Sequence, residues 1–276
     1  MPSPPALSPL AEFARQHDPD RFLCALFAPA VKREALYLLI AYNHELARAR
    51  EAARTPLIAL MRLQWWREVI EQAVVGDPPR RHEVAEPLHA AIRDGTLEAE
   101  TLLAMADARE GEAEEEGIPS REAFHAYLQG SAGGLAIAAG RLLGAPPGLL
   151  PALQAAGGAY GLAGVLRSVP ALAAQGRCLL PLDALAAAGL GPEAVIRDPA
   201  AARPVVAALA AEGRERLAAA RPGLRRLDRA AVAAALPAVL ARRDLRRLAR
   251  DGGGETGPRG LGDRLAVILA GLAARA

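Results

Sequence analysis

Residues 159–185 read AYGLAGVLRSVPALAAQGRCLLPLDAL, and this stretch decides how the rest of the chain is understood. Small and apolar residues run up to Leu166-Arg167-Ser168-Val169-Pro170. The turn-forming Ala174-Gln175-Gly176 follows, and Arg177-Cys178-Leu179-Leu180-Pro181 closes the segment. Overlapping its start, residues 142–166 carry no formal charge and are long enough by count to span a bilayer at roughly 20 residues. Pro146, Pro147, Pro151, Gln154 and several glycines interrupt it, which predicts two buried helical pieces joined by a Pro-Pro turn.

Composition points the same way. Hydrophobic residues make up 52% of the 276 residues but aromatic ones only 4%, so apolar volume comes from Ala, Leu and Val. Alanine has the highest intrinsic helix propensity, and alternating strand patterns are scarce, so an all-α single domain is expected. The formal net charge of +2 gives no argument for a nucleic-acid partner, although Lys32 is the only lysine and arginine supplies the other cations. Cys24 and Cys178 have neither a CxxC spacing nor a Cys/His cluster, which speaks against a disulfide framework or a zinc site. Met1 to Leu10 has prolines where a secretory signal would have an apolar run, so a cytoplasmic protein with a flexible N-terminus over 1–16 is expected.

Working outward, Asp18-Pro19-Asp20 offers an N-cap with proline in the first turn. From Lys32 to Glu51, Leu36, Leu39, Ile40 and Leu46 recur at helical spacing. Arg62-Leu63-Gln64-Trp65-Trp66-Arg67 supplies two large rings to a small-residue core, where packing between helices competes with a ligand or partner surface. Thr101 to Glu116 is helical and then acidic; its acids form a solvated helix end or a metal site. His82 and His89 lack further ligands at metal spacing. Gly130, Gly134 and Ala138, four apart, let a helix or a ligand approach closely. Arg242 to Arg250 forms a basic amphipathic helix whose face meets solvent, an acidic partner or anionic lipid. A Gly-rich linker and a short terminal helix fill 251–276.

The opening stretch resembles the second signature of the squalene/phytoene synthase family, roughly N-I-L-R-D-V-x-E-D followed by G-R-x-Y-L-P. Ala35 to Arg48 is similar to that family's first signature, Arg62 to Arg67 to its R-x-x-W-W-R segment, and Tyr127 to Gly134 to its Y-x-x-x-x-A-G segment. The resemblance covers about Asp18 to Leu185 and implies the isoprenoid synthase fold, a helical bundle over 17–250 around a central apolar cavity. It also implies that His44, Arg48, Ser168 and Leu172 stand where the family has metal-binding aspartates, with Gly164 in place of asparagine. Tyr127, Gly130, Gly134 and Leu166 are then expected to line the cavity.

Two acids four apart share a helix face and grip magnesium between helices. Imidazole is a poor ligand for that hard cation, and guanidinium repels it. The frame therefore resembles a branch of the family that lacks the aspartates and includes assembly factors of respiratory complex I. For such a pseudoenzyme the resemblance implies no cofactor, an isoprenoid or lipid ligand, a respiratory complex subunit or membrane surface as partner, and a peripheral place on the inner membrane face. The alternative is a prenyl-diphosphate transferase of squalene, phytoene or hopanoid synthesis, for which Mg2+ would be required. A further expectation is a metal-free anion or diphosphate site formed by His44, Arg48, Arg167 and Arg177.

Overall fold

The computed structural model describes residues 7–51, 53, 55–113, 117–253 and 259–276. Among them the chain is all-helical, without a strand. In order the helices are α1 (Pro9–His17), α2 (Pro19–Ala25), α3 (Ala30–Glu51), α4 (Pro56–Val75), α5 (Ala85–Arg93), α6 (Ala99–Asp107), α7 (Arg121–Gly130) and α8 (Ala132–Leu142). They continue as α9 (Leu150–Arg167), α10 (Val169–Ala174), α11 (Leu182–Ala187), α12 (Pro192–Arg197), α13 (Arg203–Leu224), α14 (Val232–Ala235), α15 (Pro237–Asp251) and α16 (Leu261–Leu272).

Local chemistry sets these boundaries. Ser8, Asp18, Thr55 and Ser120 each accept a hydrogen bond from a backbone N–H three residues on, satisfying a donor that a helix start leaves unpaired. The Asp18-Pro19 signal is thus used as expected. At the other ends, Gly76 and Gly252 take φ of 87° and 66°, the left-handed cap that an L side chain adopts only with strain. Pro146 and Pro147 separate α8 from α9, leaving residues 142–166 as the last residue of α8, a turn and one long helix.

Helix α9 is the axis of the fold. By length and composition residues 147–167 could cross a membrane, but α7, α8, α13 and α15 all pack against it. Its small residues allow this: a Cβ added to Gly157 would come within 2.5 Å of the Ala132 carbonyl oxygen on α8. Leu153 and Leu166 are fully buried along the same helix. Around this axis, α2, α3, α8, α9 and α14 enclose a central apolar hollow lined by residues including Cys24, Leu36, Leu39, Ala136, Tyr160 and Ala234. Its volume of about 50 Å³ admits about four waters at roughly 10–15 Å³ each. A prenyl chain enters it only if the helices move apart.

The stretch expected to be a flexible end departs from that reading. From Pro9 onward it is α1, with Ala11 and Ala14 buried against α3; residues 1–6 lie outside the described residues. Ser8 caps the helix and also donates to Glu34 Oε2 at 2.8 Å, so a polar, proline-rich opening is tied down by two contacts that periodicity does not reveal. The terminal α16 docks on α2 and α15.

Candidate functional site

Helix α3 presents Asn43, His44 and Arg48, and the junction of α9 and α10 presents Gly164, Ser168 and Leu172. Their surroundings differ. The His44 ring lies 4.4 Å from His17 and 5.3 Å from Phe13, both on α1, so this helix covers the first motif position. Its Nε2 is buried and has no hydrogen-bond partner among the described residues. Arg48 Nη1 is 3.9 Å from Glu45 Oε1 and half-exposed. Ser168 is half-buried at the helix junction, its backbone N–H donating to Gly164 and Val165. Gly164 faces open space, since an added Cβ would meet nothing within 4 Å. Leu172 is buried in the apolar core.

Arg48, Arg167 and Arg177, three of the four residues expected to form an anion site, each lie beside an acid. Arg167 lies 3.5 Å from Asp244 on α15, whereas Arg177 lies 3.9 Å from Glu112 beyond α6. The expected cavity lining shifts as well. Gly130 and Gly134 give their space to α6: Cβ atoms there would sit 2.4 Å from Ala108 Cβ and 2.8 Å from Met105 Cγ. Leu166 is core, and the central hollow is lined from α8 by Ala132, Leu135, Ala136 and Ala139 instead. A four-residue period identifies a face but not what faces it.

Tyr127 and Arg177, both expected site residues, belong to a buried polar cluster whose other members are Asn43, Arg109 and Glu112. The Tyr127 hydroxyl donates to Glu112 Oε1 at 2.6 Å, and Arg109 Nη1 lies 2.5 Å from the same oxygen. Arg109 Nη2 donates to Asn43 Oδ1 at 3.1 Å, one residue before the first motif position. Arg177 completes the group through Glu112 Oε2. Glu112 is shared by Arg109 and Arg177, with Glu51 also acting on Arg109 through charge, and Arg109 Nε and Arg177 Nη2 are buried without a hydrogen-bond partner among the described residues. Burial alone lowers the Arg109 pKa, but Glu112 and Tyr127 more than offset it and the net shift is upward. Burial is also the main cause, with Glu112 beside it, of the raised Tyr127 pKa. The cluster is thus a protonated phenol and two cations holding one carboxylate, with donors left over for an anion. The advance signals were Tyr127 and Arg177; Arg109 and Glu112 sat in a stretch whose acids read as a solvated helix end or a metal site.

The donor set does not fit magnesium. The four motif positions supply imidazole, guanidinium, hydroxyl and alkyl groups, not the carboxylates that hard cation needs. The acids of the 107–116 run that are described are engaged: Asp107 and Glu110 pair with Arg67, and Glu112 with Arg109. Among the described residues no group of three or more His, Cys, Asp or Glu side chains could hold a metal ion. Glu114, Glu115 and Glu116 lie outside the described residues. His82 packs edge-on against Trp65 and Trp66, and Trp66 against Tyr42, so the Trp-Trp pair serves helix packing.

His44 has a measurable consequence. Burial pushes its imidazole down to about 4, with His17 and Arg48 adding to the effect and Asp18 opposing it. The unfolded chain, with histidine near 6.5, then binds more protons than the folded one between those values. Stability is therefore complete above pH 6.5 and falls as pH drops toward 4. Because the ring is only partly buried, solvent screening limits this contribution to about 1 kcal/mol. His44→Gln is expected to lose less stability than the parent between pH 6.5 and 4 in urea melts; parallel curves would contradict the buried, neutral ring.

A family model described as squalene/phytoene synthase matches residues 14–266. Relatives similar in sequence include NADH dehydrogenase (ubiquinone) complex I, assembly factor 6 from mouse, 29% identical over 189 residues, and from human, 28% identical over the same length. Each match covers 67% of this chain, and the chain spans 56% of the relative's length. The Drosophila melanogaster homolog is 28% identical over 197 residues, covering 66% of this chain and 56% of its own. Among solved structures, squalene synthase HpnC from Alicyclobacillus acidocaldarius superposes with a TM-score of 0.73 at 18% identity, over 88% of this chain and 92% of that one. A dehydrosqualene synthase in complex with ligand gives 0.75 at 14% identity, over 96% and 94%. These likenesses establish the isoprenoid synthase fold.

Proposed function

The chain belongs to the squalene/phytoene synthase family, and from that premise we propose that it is a non-catalytic accessory factor of the complex I assembly type. The observation that carries this reading is the replacement of all four motif carboxylates by His44, Arg48, Ser168 and Leu172. Ionising a prenyl diphosphate leaves charge on the departing group that divalent cations ordinarily neutralise, and these side chains cannot recruit them. The similarity to assembly factor 6 relatives supports the choice of complex I as client. In this reading the protein works beside a membrane that carries the respiratory chain, and the fold contributes a binding surface instead of a reaction centre.

The Asn43–Arg109–Glu112–Tyr127–Arg177 cluster supports a ligand as well. Its two guanidiniums and their unpaired donors suit the anionic head of an isoprenoid or lipid without a metal. Deleting the gene is the direct test. Membranes from the deletion strain are expected to lose NADH:quinone oxidoreductase activity and assembled complex I, both restored by the intact chain. Normal complex I levels in the deletion strain would overturn the reading.

A further inference from the structure

Helices α13 and α15 lie side by side, and between them runs an open groove of about 370 Å³, far larger than the central hollow. Arg214 and Arg221 line it from α13, Arg242 and Arg246 from α15; Glu215 is the acid among the lining side chains. A single step along α15 changes the situation. Arg243 and Arg247 are rotated by about 100° and pair with the buried Asp263 at 2.5 and 2.9 Å. None of the four groove arginines has an ion-pair partner among the described residues. Their mutual crowding is felt: the Arg242 pKa is lowered, first by burial and then by Arg221, Arg246 and Arg243.

The floor of the groove is apolar, formed by Leu217 and Leu224. Beside α15, α16 exposes Leu261, Leu265, Leu269 and Leu272, 56–78% accessible and spaced four, four and three apart on one face. Ala276 borders the groove, so Leu272, four residues earlier, lies within about 14 Å of it along the chain. Unpaired guanidiniums with the Leu272 end of a leucine stripe within that reach supply the two chemistries of a bilayer interface, phosphate and acyl chain.

We propose that the α13–α15 groove seats the phosphate headgroups of anionic phospholipids while the exposed leucines of α16 enter the acyl boundary. The site shares no residue with the motif positions, so it stands whether or not the accessory role holds. Guanidinium suits it because its fork donates two parallel hydrogen bonds to phosphate oxygens.

The test is co-sedimentation of the full chain with phosphatidylcholine vesicles, with and without phosphatidylglycerol. The chain is expected to pellet with the phosphatidylglycerol vesicles and to be released by salt. Arg242→Gln with Arg246→Gln is expected to weaken that binding on the order of tenfold or more. Both arginines are exposed and mutually repulsive, so the double variant should melt no lower than the parent. Leu265→Gln with Leu269→Gln, on a separate helix, should weaken binding too. Equal binding to both vesicle types, undiminished binding by the arginine variant, or binding of inorganic pyrophosphate without binding to vesicles would each overturn the proposal.

Discussion

Asp244→Ala is expected to cost about 3–5 kcal/mol of folding stability, the penalty for breaking a buried ion-pair network at its central carboxylate. Asp244 sits on α15 with 2% of its surface exposed. Its carboxylate lies 2.8 Å from Arg259 Nη2, 2.6 Å from Arg247 Nη2 and 3.5 Å from Arg167 Nη1. Arg259 also reaches Asp20 on α2 at 2.5 Å, and Asp20 accepts from the Tyr160 hydroxyl of α9 at 3.1 Å. One carboxylate therefore helps hold α2, α9, α15 and the segment entering α16. Burial alone lowers the Arg259 pKa, but Asp244 and Asp20 outweigh it and the net shift is upward. Removing Asp244 takes the Nη2 partner from this buried arginine and leaves it Asp20 and the more distant Asp263, while its Nη1 already lacks a hydrogen-bond partner among the described residues. Asp251→Ala, at an exposed pair with Arg250 on the same helix, should leave stability nearly unchanged. Equal small losses from both variants in denaturant melts would contradict the network.

The second large effect is expected at the α8–α9 crossing. A Cβ at Gly157 would lie 2.5 Å from the Ala132 carbonyl oxygen and 2.7 Å from Ala136 Cβ. The nearest obstacle is backbone, which cannot rotate away as a side-chain tip can. Gly157→Ala should therefore cost about 2–3 kcal/mol through overpacking, despite alanine's better helix propensity. Gly164, two turns on in the same helix, is the internal control. An added Cβ meets nothing within 4 Å there, so Gly164→Ala should stabilise by about 0.5–1 kcal/mol. Both melting temperatures rising would show that the two backbones do not approach as described.

Much of the scaffold was legible because it depends on local rules. The Asp18-Pro19 cap, the helix from Lys32 to Glu51, the Pro-Pro break before α9 and the packing role of Trp66 follow from capping, periodicity and volume. What escaped depends on which element lies opposite. The proline-rich opening gave no hint that α1 would dock over His44. Arg109 and Glu112 became a buried cluster only because α7 brings Tyr127 to them. The glycines at 130 and 134 face α6 and not the hollow, although their spacing is what either role requires. The basic run of α15 read as a single cationic face, yet a rotation of about 100° per residue sends Arg243 and Arg247 to Asp263 and leaves Arg242 and Arg246 in the groove. The fourfold loss of carboxylates, by contrast, is a property of the sequence alone.

The central claim is that this family member keeps the synthase bundle without its metal-dependent chemistry. Incubating the purified chain with farnesyl or geranylgeranyl diphosphate, Mg2+ and a reductant, followed by product analysis, tests it most directly. Unchanged substrate is the result expected; squalene, phytoene or a cyclopropyl diphosphate, formed in proportion to the amount of this protein, would contradict it.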